Sequence, residues 1–158
     1  LDFILKVWKK LIKNNTNIEL WIIGSKRDID IPLVKNIGRL PNKELPRYYQ
    51  MADFYLFPSL WHEGFGLSLV EALKCGCYCI ASHNGGIPEV LNYGNYGKLI
   101  EHPNFVGSWI EEIELSIEEY LKNDRINPFL KVFSKDLYSL ETWCLNMDNI
   151  INEAKDNV

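Results

Sequence analysis

A short apolar run, Phe54-Tyr55-Leu56-Phe57, ends at Pro58 and is soon followed by Gly64-Phe65-Gly66 and an apolar stripe at helical spacing. This succession constrains the fold more than any other part of the chain. The run reads as a buried parallel strand that Pro58 terminates. Gly64 and Gly66 carry no Cβ and tolerate positive φ, so the backbone of the turn can come close to whatever lies over it. A helix is expected from about Leu67, with Leu69, Val70 and Leu73 as its buried stripe. Strand, glycine turn and helix in that order place unpaired helix-terminal amides at the end of a strand, which makes a ready anion site. Glu63 and Glu71 bracket the turn, and carboxylates there accept hydrogen bonds from hydroxyl groups.

The alternation of strand and helix runs through the whole chain. Phe3, Ile4, Val7, Trp8, Leu11 and Ile12 predict an opening helix that ends near Asn14 and Asn15. Strands are expected at residues 19–23, 36–39, 54–57, 78–81 and 98–100. Asn42 is expected to cap a helix running to about Met51, with Pro46 in its first turn, where a missing N–H is tolerated. A short helix is expected near residues 88–91. A long one follows with Trp109, Ile110, Ile113, Ile117, Tyr120 and Leu121 as its stripe. Asn127-Pro128 marks a break, and Ser139 starts a final helix to about Ala154. Strands separated by helices imply right-handed crossovers: an α/β fold with a Rossmann-like doubly wound parallel sheet and a C-terminal helix. Ligands of such sheets bind beyond the carboxyl ends of the strands. Gly24, Arg39, Leu40, residues 63–67 and the pair Gly85-Gly86 all follow predicted strands, so they are expected to converge on one crevice.

Composition narrows the class. A chain of 158 residues should form one domain that buries about two thirds of its unfolded surface. The net charge is −4 and no basic stripe follows a helix, so nucleic acid is not an expected partner. The longest apolar runs are of strand length, short of a bilayer span. The chain opens with Leu1-Asp2-Phe3 inside a helical pattern, without an initiator methionine or a signal-peptide pattern, which is expected of a piece of a longer protein. Cys75, Cys77 and Cys79 form C-x-C-x-C. Cys75 falls at a helix end, however, and Cys77 and Cys79 alternate with Tyr78 and Ile80 on a strand. They read as buried thiols of a reducing compartment, with Cys144 alone in a helix. His62, His83 and His102 are dispersed. No metal site is expected.

Residues 53–91 carry a longer pattern: Glu63-Gly64-Phe65-Gly66-Leu67, then Glu71-Ala72, Cys75-Gly76 and Gly85-Gly86-Ile87-Pro88-Glu89. It resembles the donor-binding domain of the family 4 retaining glycosyltransferases of GT-B fold, whose signature is E-G-F-G-L-x-x-x-E-A, then C-G-x-P-V-x-A, then G-G-x-P-E. Residues 44–57 also fit that family's E-L-P-x-x-Y-x-x-A-D followed by a strand. The resemblance implies that residues 1–158 form a single nucleotide-sugar-binding domain, one half of a GT-B fold. By the same resemblance, Glu63 is the catalytic residue and holds the sugar, with phosphate along the backbone of Gly64, Phe65, Gly66 and Leu67. Glu71 accepts ribose hydroxyls, the base lies near Arg39 and Leu40, and Gly24, Gly85 and Gly86 complete the substrate-binding set. The implied reaction is transfer of a hexose-type sugar from a nucleoside diphosphate to an acceptor hydroxyl with retention, without metal or cofactor, in glycan or polysaccharide biosynthesis. A glycan or lipid-linked acceptor would bind through a separate N-terminal domain. The implied location is the cytoplasm or the cytoplasmic face of a membrane, with peripheral membrane association of the whole protein.

The chain also departs from the family. Before its opening helix the family has a strand and a loop with an arginine and a lysine, and these are absent from the given residues, as is the acceptor domain. That strand lies centrally, so a gap in the sheet is expected. Tyr78 stands where the family usually has proline. Other readings remain beside the resemblance. Ser68-x-x-Glu71 also fits a capping box, and Phe65 also fits a packing plug beneath the turn. Asp28-Ile29-Asp30 matches the metal-binding D-x-D of the other main glycosyltransferase fold, but reads as a solvated loop. A stand-alone nucleotide-sugar binding module without catalysis is the alternative function. A dehydrogenase is disfavoured because Gly24-Ser25-Lys26-Arg27 is no G-x-G-x-x-G. In the final helix Leu140, Trp143, Leu145, Met147, Ile150 and Ile151 are too widely spread for one stripe. Part of that face, Trp143 above all, is therefore expected to be exposed or to mediate self-association.

Overall fold

The computed structural model describes residues 1–134 and 136–156, with residues 149–156 given by their helical backbone alone. Helix α1 (Asp2–Leu11) is followed by strands β1 (Leu20–Ile23) and β2 (Val34–Gly38), then α2 (Leu45–Met51) and β3 (Phe54–Phe57). Next come α3 (Leu67–Cys75), β4 (Tyr78–Ser82), the short α4 (Ile87–Val90), β5 (Lys98–Ile100), α5 (Val106–Lys122) and α6 (Leu140–Asp156). All pairings among the described residues are parallel; helices lie between consecutive strands of β3-β4-β5, whereas β1 and β2 are joined by residues 24–33 without a helix. The strands form two ladders, β1-β2 and β3-β4-β5, rather than one continuous sheet.

Period-two alternation builds the core around β4. Cys77, Cys79 and Ala81 face one layer, made by α3, α4 and the segment around Phe133, and Tyr55, Phe57 and Leu99 join them. Tyr78 and Ile80 face the other, made by α1 and α5, with Phe54, Leu56 and Ile100 beside them. Helices thus cover both faces of the three-stranded ladder, the doubly wound arrangement. Every residue of β4 is buried, because β4 has a strand on each side. The Phe54–Phe57 run was expected to be buried as well, yet all four of its residues are only half-buried. β3 pairs with β4 alone and is an edge of its ladder.

Tyr78 shows what replaces proline at this position. Its backbone N–H donates to the carbonyl of Asp53 at 2.9 Å, a bond proline cannot make. Its phenol donates to Glu119 Oε2 at 2.6 Å, and Lys98 Nζ lies 3.0 Å from the same oxygen. Phe54, Tyr120 and Phe129 surround the ring with centroids 5.0–6.5 Å away.

Several expected positions shift. α1 is shorter than its apolar pattern and closes through a turn at residues 12–14. Asn42 does not cap α2. It opens a 3-10 turn, Asn42–Glu44, whose own cap is Pro41, and no side chain caps it. β2 starts earlier than expected and ends at Gly38, so Arg39 lies past the strand. Leu121 is 53% exposed instead of joining the α5 stripe; in that last turn it is Tyr120 that packs on the sheet, against Phe54. Leu140, Trp143 and Leu145 of α6 are exposed. The side chains of Ile150 and Ile151 lie outside the described residues. Among the described residues no helix is long and apolar enough to cross a membrane.

Candidate functional site

Two glycine turns lie one upon the other at the ends of β3 and β4. The amide of Gly86 donates to the carbonyl of Glu63 at 2.7 Å. The approach is so close that a Cβ on Gly85 would sit 2.4 Å from the Glu63 carbonyl oxygen, and one on Gly86 would sit 2.2 Å from that of Gly64. Any side chain at either position would pry the turns apart. The first turn enters α3 through Gly66, whose φ of +76° is left-handed and suits glycine. Gly66 is the N-cap of α3, and its carbonyl accepts from the amides of Leu69 and Val70. The amides of Leu67 and Ser68 precede those bonds and belong to the open N-terminus of a helix of nine residues.

The carboxylates are held by neighbours that local sequence patterns did not single out. Ser59 Oγ donates to Glu63 Oε1 at 2.9 Å, with the carbonyl of Trp61 at 3.3 Å as its alternative acceptor. Asn84 Nδ2 donates to that carbonyl at 3.0 Å, so the loop carrying Glu63 is tied to the second turn by a side chain as well. Glu71, exposed on α3, accepts from the phenol of Tyr49 through Oε2 at 3.2 Å. Burial, with Tyr55 and Glu71 nearby, pushes the Tyr49 phenol far up, so it remains a donor. Tyr55 packs edge-on against Tyr49 with centroids 5.5 Å apart and donates to Ser68 Oγ at 3.0 Å. Burial pushes the Tyr55 phenol up to about 12. No side chain caps α3, so the capping-box reading of Ser68 and Glu71 is not realised. Their side chains face Tyr55 and Tyr49 instead, leaving Glu71 Oε1 able to accept from a ligand. Tyr49 is the tyrosine of the E-L-P-x-x-Y-x-x-A-D stretch, a signal that spacing alone reads only as a helix leading to a strand.

Glu63, Gly64, Gly66, Leu67, Gly85 and Gly86 are therefore brought together. Phe65 is 41% exposed and packs edge-on against Tyr138, so it is neither fully a plug nor fully open. Gly24 and the segment of Arg39 and Leu40 form a second group, at the end of the β1-β2 ladder, where the Gly24 amide donates to the Gly38 carbonyl at 2.7 Å. Leu40 leads through Pro41 into α2, which packs on α3 and carries Tyr49 to Glu71. Trp21 of β1 meets Tyr48 of α2 edge-on at 6.0 Å. α2 thus links the two groups, while α1 packs beneath both ladders. Asp28 and Asp30 are exposed in the β1–β2 loop. They line a cavity of about 280 Å³ with Asp2, Lys6, Lys9 and Arg27, apart from the glycine turns. Cys77 and Cys79 are buried, and Cys75 is half-buried. Among the described residues no three His, Cys, Asp or Glu side chains gather as they would around a metal ion.

The sequence model of the family described as "Glycosyl transferases group 1" matches residues 1–132. O-antigen chain mannosyltransferase B of Escherichia coli is 34% identical over 86 residues, which are 54% of this chain and 22% of that protein. N-acetyl-alpha-D-glucosaminyl L-malate synthase of Bacillus anthracis is 44% identical over 71 residues, 45% of this chain and 18% of the relative. GDP-mannose-dependent alpha-(1-6)-phosphatidylinositol monomannoside mannosyltransferase of Mycolicibacterium smegmatis is 27% identical over 110 residues, covering 66% and 27%. The chain thus spans at most 27% of the length of these relatives. Among solved structures, sucrose-phosphate synthase from Thermosynechococcus elongatus superposes with a TM-score of 0.69 at 19% identity, over 96% of this chain and 42% of that one. That likeness establishes a shared fold.

Proposed function

The chain belongs to the group 1 glycosyl transferases, and we propose that it is the donor-binding half of a retaining, metal-independent member. In this reading a hexose-type sugar passes from a nucleoside diphosphate to an acceptor hydroxyl on a glycan or lipid-linked chain. The observation that carries it is the stack of two glycine turns at the N-terminus of α3, bracketed by Glu63 and Glu71. The α3 amides and the backbone at Gly64 and Gly66, which carry no side chain, suit a diphosphate, whose charge grows as the sugar leaves. Glu71, steadied by Tyr49 through one oxygen, offers the other to ribose hydroxyls. Glu63, steadied by Ser59, faces the sugar. The base lies toward Arg39 and Leu40, and Gly24, Gly85 and Gly86 line the remaining walls. Attack of the acceptor hydroxyl from the face that the leaving group vacates retains the anomeric configuration without a protein nucleophile.

The two carboxylates separate experimentally. Glu71→Gln should weaken free GDP or UDP and their sugar conjugates alike. Glu63→Gln should leave the free nucleotide untouched and weaken only GDP-mannose, UDP-glucose or UDP-N-acetylglucosamine. Loss of one charge-assisted hydrogen bond costs about 1.5–3 kcal/mol, roughly ten- to a hundredfold in affinity. Calorimetry with this panel decides the matter: equal losses of free nucleotide in both variants would overturn the division of roles. Absence of any nucleotide binding by the parent chain would overturn the donor reading itself.

A further inference from the structure

Tyr138 follows the 1–132 stretch that the family pattern covers, and it touches both sides of the site. Its ring packs edge-on against Phe65 of the first glycine turn, centroids 5.3 Å apart at 85°. Its hydroxyl lies 3.2 Å from the carbonyl of Glu89 and 3.1 Å from that of Val90, at the end of the helix that the second glycine turn opens. The backbone holds Tyr138 at φ +63°, a conformation that a bulky L-residue seldom adopts and glycine adopts without strain. Hydrogen bonds fix the surrounding turn. The Leu137 amide donates to Ser134 at 3.1 Å and the Ser139 amide to Asp136 at 2.9 Å. Ser139 Oγ accepts from the Thr142 amide at 3.1 Å, and Thr142 Oγ1 donates to the Asp136 carbonyl at 3.0 Å. Phe133, buried against Tyr96 at 5.3 Å, anchors the segment upstream. A strained backbone kept in place around one aromatic side chain points to a task for that side chain.

The task follows from how the two turns are joined. The bonds from Gly86 to the Glu63 carbonyl and from Asn84 to the Trp61 carbonyl both join the turns on the side of residues 61–63 and form one pivot, which does not itself hold the Phe65 side of the first turn. A second attachment away from the pivot holds that side. We propose that Tyr138 is a positioning residue of the donor site, which fixes Phe65 and α4 in one register and so holds the two glycine turns in their stacked arrangement. The proposal rests on the donor reading for its consequence in binding, but not for its geometry.

Two variants test it. Tyr138→Gly removes the side chain while relieving the backbone, and Tyr138→Phe removes only the hydroxyl. The readouts are the unfolding midpoint, hydrogen exchange at the Gly86 amide compared with the amides of β4, and the Kd for GDP-mannose and UDP-glucose. A positioning role predicts that Tyr138→Gly speeds Gly86 exchange at least tenfold beyond what its lowered midpoint imposes on the amides of β4, and raises the Kd about three- to tenfold. Tyr138→Phe should speed Gly86 exchange about threefold, and it keeps the test decisive if the glycine variant does not fold. Unchanged Gly86 exchange and Kd in both variants would make Tyr138 an ordinary turn residue and overturn the proposal. If the parent chain binds neither nucleotide-sugar, the donor reading falls, and Gly86 exchange alone still decides whether Tyr138 couples the turns.

Discussion

The two ladders are built from similar short parallel strands but are held very differently. In β3-β4-β5 the central strand is buried at all five positions, with helices on both faces. In β1-β2 only Ile22 is buried. The stacked glycine turns and both carboxylates hang from the first ladder. Gly24, Arg39 and Leu40 hang from the second. In the proposed reading, the contacts to a diphosphate and the sugar at its end would fall where backbone meets backbone. Gly24, Arg39 and Leu40 sit on a looser support, which α1 and α2 tie to the rest.

That contrast can be broken most forcefully in the cores. Ile80→Ala, at a fully buried position between two strands, should cost about 4 kcal/mol, whereas Ile22→Ala in β1 should cost about 2 kcal/mol. Urea denaturation measures both, and equal losses would mean that the ladders are equally supported. The glycines sharpen the comparison, with a smaller effect. A Cβ at Gly86 meets backbone at 2.2 Å, and backbone cannot swing aside, so Gly86→Ala should destabilise by about 3 kcal/mol and separate the turns. Gly24 has φ +92° but open space around it, so Gly24→Ala should carry only conformational strain of about 1–2 kcal/mol. A Gly24 variant as damaging as the Gly86 one would show that the β1-β2 end is as crowded as the glycine stack.

The smallest expected effect is one of pH. The hydrogen bond from Tyr78, then Lys98, holds the Glu119 carboxyl below its ordinary 4.5. A carboxylate lowered by folding contributes stability above the unfolded value and loses it as pH falls through the folded one. The Glu119 side chain is 43% exposed, so solvent screening keeps the contribution to no more than about 1 kcal/mol. Stability measured from pH 6 down to pH 3 should fall less steeply in Tyr78→Phe than in the parent. Identical slopes would show that the Tyr78 phenol does not hold Glu119.

Legibility in the sequence follows the same divide. β3, α3 and β5 fall where apolar pattern and glycine place them, because each is bounded by a residue that excludes continuation or belongs to a long-patterned neighbour. The ends of β2 were read late because Val34 and Lys35 carry no alternation: Lys35 and Asn36 are exposed, and the extent of the strand is set by pairing with β1. Glu63 and Glu71 were visible through their spacing around the glycines. Their supports were not: Asn84 and Tyr49 act across the fold, and Ser59, only four residues before Glu63, lies in a loop where no helical or strand period aligns side chains. Tyr138 was invisible for a further reason. A left-handed aromatic residue contradicts local preference, so no local pattern can announce it.

The burial of Cys79 on β4 and of Cys77 just before it also makes these cysteines a gauge of the molecule's opening. Burial pushes the Cys77 thiol up to about 12 and the Cys79 thiol well above its ordinary value, so neither supplies thiolate near neutrality, while Cys144 is exposed on α6. An alkylating reagent should therefore mark Cys144 while the sheet stays shut. Labels on Cys77 and Cys79 would then date the parting of β4 from α3 without any probe being built into the protein.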